Sequence, residues 1–175
     1  MSTNNKSILS ITQVRPHLLL SGYGCITPSL LKQYNITHAV DCTNLKTKPI
    51  PGLVKMEVPV DDSTLSKISK YFEPVVKFVE ENKQQGKITV IYCAAGVSRS
   101  ATLTIVYLMV TEKLTLEEAY HEVNRVRPII SPNIGFWRQM IDYEKELKEG
   151  NSSVQLISGR MARPVPSVYL RREVC

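Results

Sequence analysis

Between Ile88 and Val110 the chain runs through three segments that few folds can hold together. Ile88-Thr89-Val90-Ile91-Tyr92 is rich in β-branched residues and apolar on both faces. That pattern suits a strand buried at the centre of a sheet. Ala101 to Val110 is almost wholly apolar, the pattern of a helix buried all round. Only the short stretch Cys93 to Arg99, with one glycine, joins the two. A buried strand running through a tight loop into a buried helix is the centre of an α/β layer structure.

The flanking sequence extends that reading. Ile8-Leu9-Ser10-Ile11 and Leu18-Leu19-Leu20 read as short strands split by Arg15-Pro16. Pro28 suits the first turn of a short helix. His38 to Asp41 and Leu53 to Val60 read as strands, with a proline-containing loop from Lys46 to Gly52 between them. Ile68, Phe72, Val75, Val76 and Val79 recur at helical spacing. Pro74 requires that this helix either begin near it or kink there. Thr115-Leu116-Glu117-Glu118 is a capping box, opening a helix that Pro128 ends. A last helix is expected from Asn133 to Lys148, burying Phe136, Trp137, Met140, Ile141 and Leu147. The expected fold is α/β: a central mixed sheet of about five strands flanked by helices. The expected organisation is one catalytic domain over 1–149 and a basic tail over 150–175, ordered only if it packs back on the body.

The chemistry sits where the strand meets the helix. Ligands bind at the carboxyl ends of strands in such sheets. The N–H groups of a helix start, together with a curled loop of successive N–H groups, form an anion site. The phosphate is expected in the loop Ala94, Ala95, Gly96, Val97, Ser98 and Arg99, where the small Ala94, Ala95 and Gly96 let the backbone close tightly around it. Cys93 lies at the base of that ring, where loop dipoles and Arg99 favour a thiolate nucleophile. Arg99 offers the planar fork that holds two phosphate oxygens. Ser100 is placed to donate its hydroxyl to the Cys93 sulfur when that sulfur becomes a leaving group. Taken singly, Cys93 reads equally as a small buried hydrophobe and Arg99 as a helix-surface charge. The buried strand before them and the apolar helix behind carry the functional reading. A departing alkoxide also needs a proton. Residue chemistry leaves Asp61 and Asp62 both open as its donor, with a solvated loop or a helix cap as the plain alternative.

Cys93-Ala94-Ala95-Gly96-Val97-Ser98-Arg99-Ser100 resembles the signature loop of the dual-specificity protein phosphatases. Tyr107-Leu108-Met109, Arg127-Pro128, Pro132-Asn133 and Gly135-Phe136-Trp137 resemble their later blocks. The likeness covers about residues 8 to 148 and is greatest to the small atypical members. It implies dephosphorylation of phosphotyrosine and phosphoserine or phosphothreonine in proteins through a phospho-cysteine, with no cofactor. It places the general acid nine residues before Tyr71, at Asp62, and makes Asn133 a brace for the phosphate loop. Tyr92 stands where the family carries a histidine that bonds to the backbone around the nucleophile, and is carried over as a supporting residue.

Two other functions compete with that one. Tyr92 in place of histidine would suit a module that captures phosphoproteins with little turnover. A phosphatase for RNA ends or phosphoinositides would gain from basic residues in the loop, and Ala-Ala-Gly-Val-Ser is neutral. The net charge of +6 decides little: half of it lies beyond residue 150, where Arg160, Arg163, Arg171 and Arg172 oppose Glu173 alone. The partners expected are phosphorylated proteins, not nucleic acid. Cys25, Cys42, Cys93 and Cys175 are scattered, which argues against zinc and for reduced thiols in the cytosol or nucleus. Cys42 is read as a core thiol, with a disulfide to Cys93 under oxidation as the alternative. No signal peptide or membrane span is read.

Overall fold

The computed structural model describes residues 8–159 and 163–170. Five strands form one sheet in the order β1-β2-β5-β3-β4. They are β1 (Thr12–Arg15), β2 (Leu18–Gly22), β3 (Ile36–Asp41), β4 (Val54–Glu57) and β5 (Ile88–Cys93). The β1–β2 pair is antiparallel and the other pairs are parallel, so the sheet is mixed. β5 is central, as its composition requires, and its side chains alternate between faces. Val90 and Tyr92 pack with Leu19, Ala39 and α1 (Pro28–Gln33) on one face. Ile91 and Cys93 point into the larger core on the other.

That larger core is closed by α2 (Phe72–Gln84), α3 (Arg99–Thr111), α4 (Leu116–Val126) and α5 (Ile134–Leu147). α3 runs through its middle, with every residue from Arg99 to Met109 buried. Thr115 and Glu118 close the capping box of α4 in both directions. Pro74 causes no kink. It lies in the first turn of α2, whose N–H groups have no helical acceptor, and a 3₁₀ turn over Ile68–Tyr71 leads in.

The structure corrects two strand boundaries. Residues 8–10 form a turn, and β1 begins only at Thr12, where pairing with Leu20 starts. Ile8 and Leu9 are exposed, and so is Leu147, which ends α5 at 48% exposure instead of entering the core. The strand expected over Leu53 to Val60 is cut to Val54–Glu57. Pro59 lacks the N–H that a ladder needs, so the chain leaves the sheet while Val58 and Val60 stay buried beneath the site.

The described part of the tail folds back on the body. β6 (Leu156–Ile157) pairs with β7 (Val165–Pro166), and Val154 and Val168 enter the main core. Tyr169 packs against Tyr120 and Trp137, with ring centroids 5.8 Å away in both cases, and Trp137 Nε1 donates to its hydroxyl at 3.1 Å. The fully buried Glu144 carboxylate accepts from the Ser152 hydroxyl, the Ser153 N–H and hydroxyl, and the Leu116 N–H that opens α4. One side chain thus joins α5, α4 and the tail.

Candidate active site

Residues 93–99 curl between the end of β5 and the start of α3, and the direction of each peptide follows from what holds it outside. The Ala94 carbonyl accepts from the Tyr23 N–H at 3.2 Å, and the Val97 carbonyl from the Ser131 N–H at 2.8 Å. Between them, Ala95 and Gly96 present their carbonyls to Arg127, at 3.2 Å from Nη2 and 2.9 Å from Nε. Four successive carbonyls turned outward leave the N–H groups turned inward, which is an anion nest. Gly96 makes the curl possible. Its φ is +68°, and a Cβ there would lie 2.6 Å from the Ser21 backbone.

Cys93 sits at the centre of that ring. Burial pushes its thiol up, but the Ser100 hydroxyl and the N–H groups of Ser100, Val97 and Gly96 outweigh burial, and the pKa falls below the ordinary thiol value. The Ser100 Oγ lies 3.0 Å from Sγ and is fully buried. Arg99, the first residue of α3, is 8% exposed. Its Nη1 donates to the carbonyls of Thr43 at 3.1 Å and Val60 at 3.2 Å. Its Nε is buried without a hydrogen-bond partner, and among the described residues it is the one such side-chain atom. A buried guanidinium with one donor unmatched is costly unless an anion fills that place.

The loop after Val60 separates the two aspartates. Asp61 accepts from Asn44 Nδ2 at 2.9 Å, which ties it to the turn after β3. Asp62 accepts from Asn133 Nδ2 at 2.8 Å. The Asn133 N–H in turn donates to Ser98 Oγ at 3.0 Å, and its Oδ1 caps α5 through the Phe136 N–H. Asn133 therefore joins Asp62 to the phosphate loop, doing more than brace the loop alone. Gly135 lets the acid loop come this close, because a Cβ there would meet the Thr64 carbonyl oxygen at 2.1 Å.

Tyr92 makes its bond elsewhere. Its side chain lies on the α1 face of the sheet, opposite Cys93, and its hydroxyl donates to Asp41 Oδ2 at 2.8 Å instead of bonding around the nucleophile. Strand alternation dictates this, since neighbours on β5 face opposite ways. Cys42 is fully buried, and burial together with Cys93 and Asp41 pushes its thiol up, so it is a core thiol of low reactivity. Arg127 was not identified as a site residue from sequence. It is 2% exposed, and it also donates to the Ser10 carbonyl and Thr12 Oγ1, fastening the loop to the start of β1. Its sequence signal is the Arg127-Pro128 pair, which resembles a later block of the family but gives the arginine no role.

Residues 18–146 match the family model described as "Dual specificity phosphatase, catalytic domain". Human Dual specificity protein phosphatase 14 is 39% identical over 162 residues, 91% of this chain and 80% of that protein. Human Dual specificity protein phosphatase 16 is 38% identical over 143 residues, 78% of this chain but only 21% of that longer protein. Human DUSP28 superposes with a TM-score of 0.74 at 30% identity, covering 79% of this chain and 95% of that one. A mouse putative dual specificity phosphatase, solved in complex with zinc tungstate, gives 0.74 at 30% identity over 79% of this chain and 89% of its own. The fold, the match over most of the chain and these relatives show that the chain belongs to the dual-specificity phosphatase family and is a protein tyrosine/serine/threonine phosphatase.

Proposed function

We propose that the chain hydrolyses phosphotyrosine and phosphoserine or phosphothreonine in proteins through a phospho-cysteine, with Cys93 as nucleophile, Arg99 as phosphate clamp and Asp62 as general acid and base. The observation that carries this is the unpartnered, buried Nε of Arg99, at the end of a loop whose N–H groups, with the Ser100 hydroxyl, depress the Cys93 thiol. The unmatched donor is costly, and a phosphate oxygen would relieve it. The tungstate in the mouse relative is an oxyanion of similar shape.

In the first step the Cys93 thiolate attacks phosphorus. The Sγ–P bond forms, the P–O bond to the side chain breaks, and the leaving oxygen takes its proton from Asp62. The inward N–H groups of residues 95–98 and the Arg99 fork meet the charge on the three equatorial oxygens. In the second step Asp62 removes a proton from water, water attacks phosphorus, and the thiolate departs, stabilised by the Ser100 hydroxyl. The net reaction adds water to a phosphate monoester and releases an alcohol and inorganic phosphate. Scattered free cysteines support a site of action in the cytosol or nucleus.

The test is phosphate release from an aryl phosphate across pH, with phosphotyrosine and phosphothreonine peptides alongside. Cys93→Ser should abolish turnover. Asp62→Asn should lower kcat by about 10²- to 10⁴-fold and remove the alkaline fall of the pH profile. Wild type as silent as Cys93→Ser, yet still binding phosphopeptide, would replace this reading with that of a phosphoprotein-capture module.

A further inference from the structure

Asp41 ends β3 on the face of the sheet away from Cys93, and it is 4% exposed. Its Oδ1 accepts from the Thr43 N–H at 2.9 Å and from the Thr43 hydroxyl at 2.6 Å. Its Oδ2 accepts from the Tyr92 hydroxyl at 2.8 Å and from Lys55 Nζ at 3.4 Å. Burial pushes this carboxyl up, but Thr43, Tyr92 and Lys55 together hold it below the usual carboxylate range. A buried, ionised carboxylate is a weak source of stability, so what it holds in place matters more. It holds the turn at Thr43, and the carbonyl of Thr43 is one of the two that grip Arg99 Nη1. Those two carbonyls fix one edge of a rigid, planar guanidinium. They therefore set where its unpartnered Nε–H points.

We propose that Asp41 is a positioning residue of the active site, which fixes the Thr43 turn, with Tyr92 as its donor, and through that turn aims Arg99 at the phosphate. The inference rests on the reading of Arg99 as the phosphate clamp. It also gives Tyr92 a task. Asp41 and Tyr92 are register partners on neighbouring parallel strands, so their side chains share a face. Tyr92 thus reaches the site through Arg99 and not through the nucleophile.

The experiment uses the full chain as wild type, Asp41→Ala, Asp41→Asn and Tyr92→Phe, with Val40→Ala as a stability control. Val40 is buried one position away and belongs to none of these bonds. The readouts are kcat and KM on an aryl phosphate, the inhibition constant of inorganic vanadate, and the thermal midpoint. Asp41→Ala should lower kcat/KM and weaken vanadate together, by about 10- to 100-fold, as a displaced clamp would. Asp41→Asn keeps an oxygen for Thr43 and should recover most of that loss. Tyr92→Phe should weaken vanadate by about threefold, the part of one hydrogen bond to a charged group that is felt indirectly, and should add nothing on top of Asp41→Ala. Val40→Ala should lower the thermal midpoint and leave both kinetic readouts within about twofold.

Asp41→Ala with unchanged vanadate inhibition, or with losses no larger than those of Val40→Ala, would overturn the proposal. If Asp41→Ala does not fold, Tyr92→Phe decides, and unchanged vanadate inhibition there overturns it. A wild type that neither turns over nor responds to vanadate would sink the reading of the site itself. A wild type that does both while ignoring Asp41 sinks this inference alone.

Discussion

Ser100→Ala removes one of four donors to the Cys93 sulfur and leaves the loop's backbone intact. The Ser100 hydroxyl is fully buried at 3.0 Å from Sγ, and water cannot replace it easily. The other three donors are the N–H groups of Gly96, Val97 and Ser100 itself, which alanine retains. A hydrogen bond to a charged group contributes about 1.5–3 kcal/mol. The lower figure applies here, because the remaining donors take up part of the charge, and it corresponds to about tenfold in thiolate population. The Cys93 pKa should therefore rise toward that of a free thiol. On the acid side of the wild-type midpoint, alkylation by iodoacetate should slow by about threefold, the tenfold loss of thiolate being offset in part by the greater reactivity of a more basic sulfur. On the alkaline side, where both thiols are ionised, it should be about threefold faster for the same reason. The catalytic consequence is asymmetric for the same reason. Attack on phosphorus tolerates the change, whereas departure of the sulfur in the second step does not. Steady-state kcat should fall about tenfold while the first turnover stays fast, so stopped-flow release of the aryl alcohol should show a burst. An unmoved alkylation midpoint with no burst would show that the hydroxyl does not serve the sulfur. A moved midpoint without a burst would place the slow step elsewhere.

Two predictions concern the supports of the site. Arg127→Met fills similar space but leaves the Ala95 and Gly96 carbonyls without their donors. It should cost about 3 kcal/mol or more in urea unfolding, at roughly 1–3 kcal/mol for each buried acceptor left unmatched. It should also lower kcat/KM, because the inward N–H groups lose their fixed direction. Unfolding within about 1 kcal/mol of wild type, well under the cost of even two unmatched acceptors, would show that the loop holds its shape without Arg127. Ending the chain after Gly150 removes Val154 and Val168 from the core, takes Tyr169 off Trp137 and strips the serine donors from Glu144. Burial of the two valines alone contributes about 3–6 kcal/mol, so the denaturation midpoint should drop by several degrees or more. A truncated chain as stable as the whole would show that the tail rests on the body without supporting it.

The parts legible in the sequence are those whose residues act on near neighbours along the chain. β5, the loop and α3 were readable because a β-branched run, a glycine and an apolar run follow one another directly. The capping box of α4 was readable because both partners lie within four residues. What escaped depends on pairings that only the sheet creates. Asp41 and Tyr92 are 51 positions apart, and nothing in either residue announces that β3 and β5 will set them side by side. Arg127 reaches back 31 and 117 positions to Gly96 and Ser10, while its own neighbourhood reads as a helix end. The tail escaped for another reason: strands of two residues have no periodicity to detect, and Glu144, which ties them down, sits at a helical position where an acid reads as surface.

These unread pairings share a direction. Cys93, Ser100 and the loop N–H groups come from one continuous stretch of chain, and that stretch could curl in many ways. Its carbonyls are turned outward by Tyr23, Arg127 and Ser131, its arginine is aimed by carbonyls of Thr43 and Val60, and its acid is tied in through Asn133. On the proposed mechanism the sequence motif supplies the reacting groups, and residues remote in the chain supply their orientation. Orientation is the larger share of what such a site must provide, since a fixed array of dipoles needs no rearrangement when charge develops on phosphorus. Substitutions at Arg127, Asp41 or Asn133 should therefore lower turnover although every residue from Cys93 to Ser100 keeps its identity, which a reading confined to the motif would not anticipate.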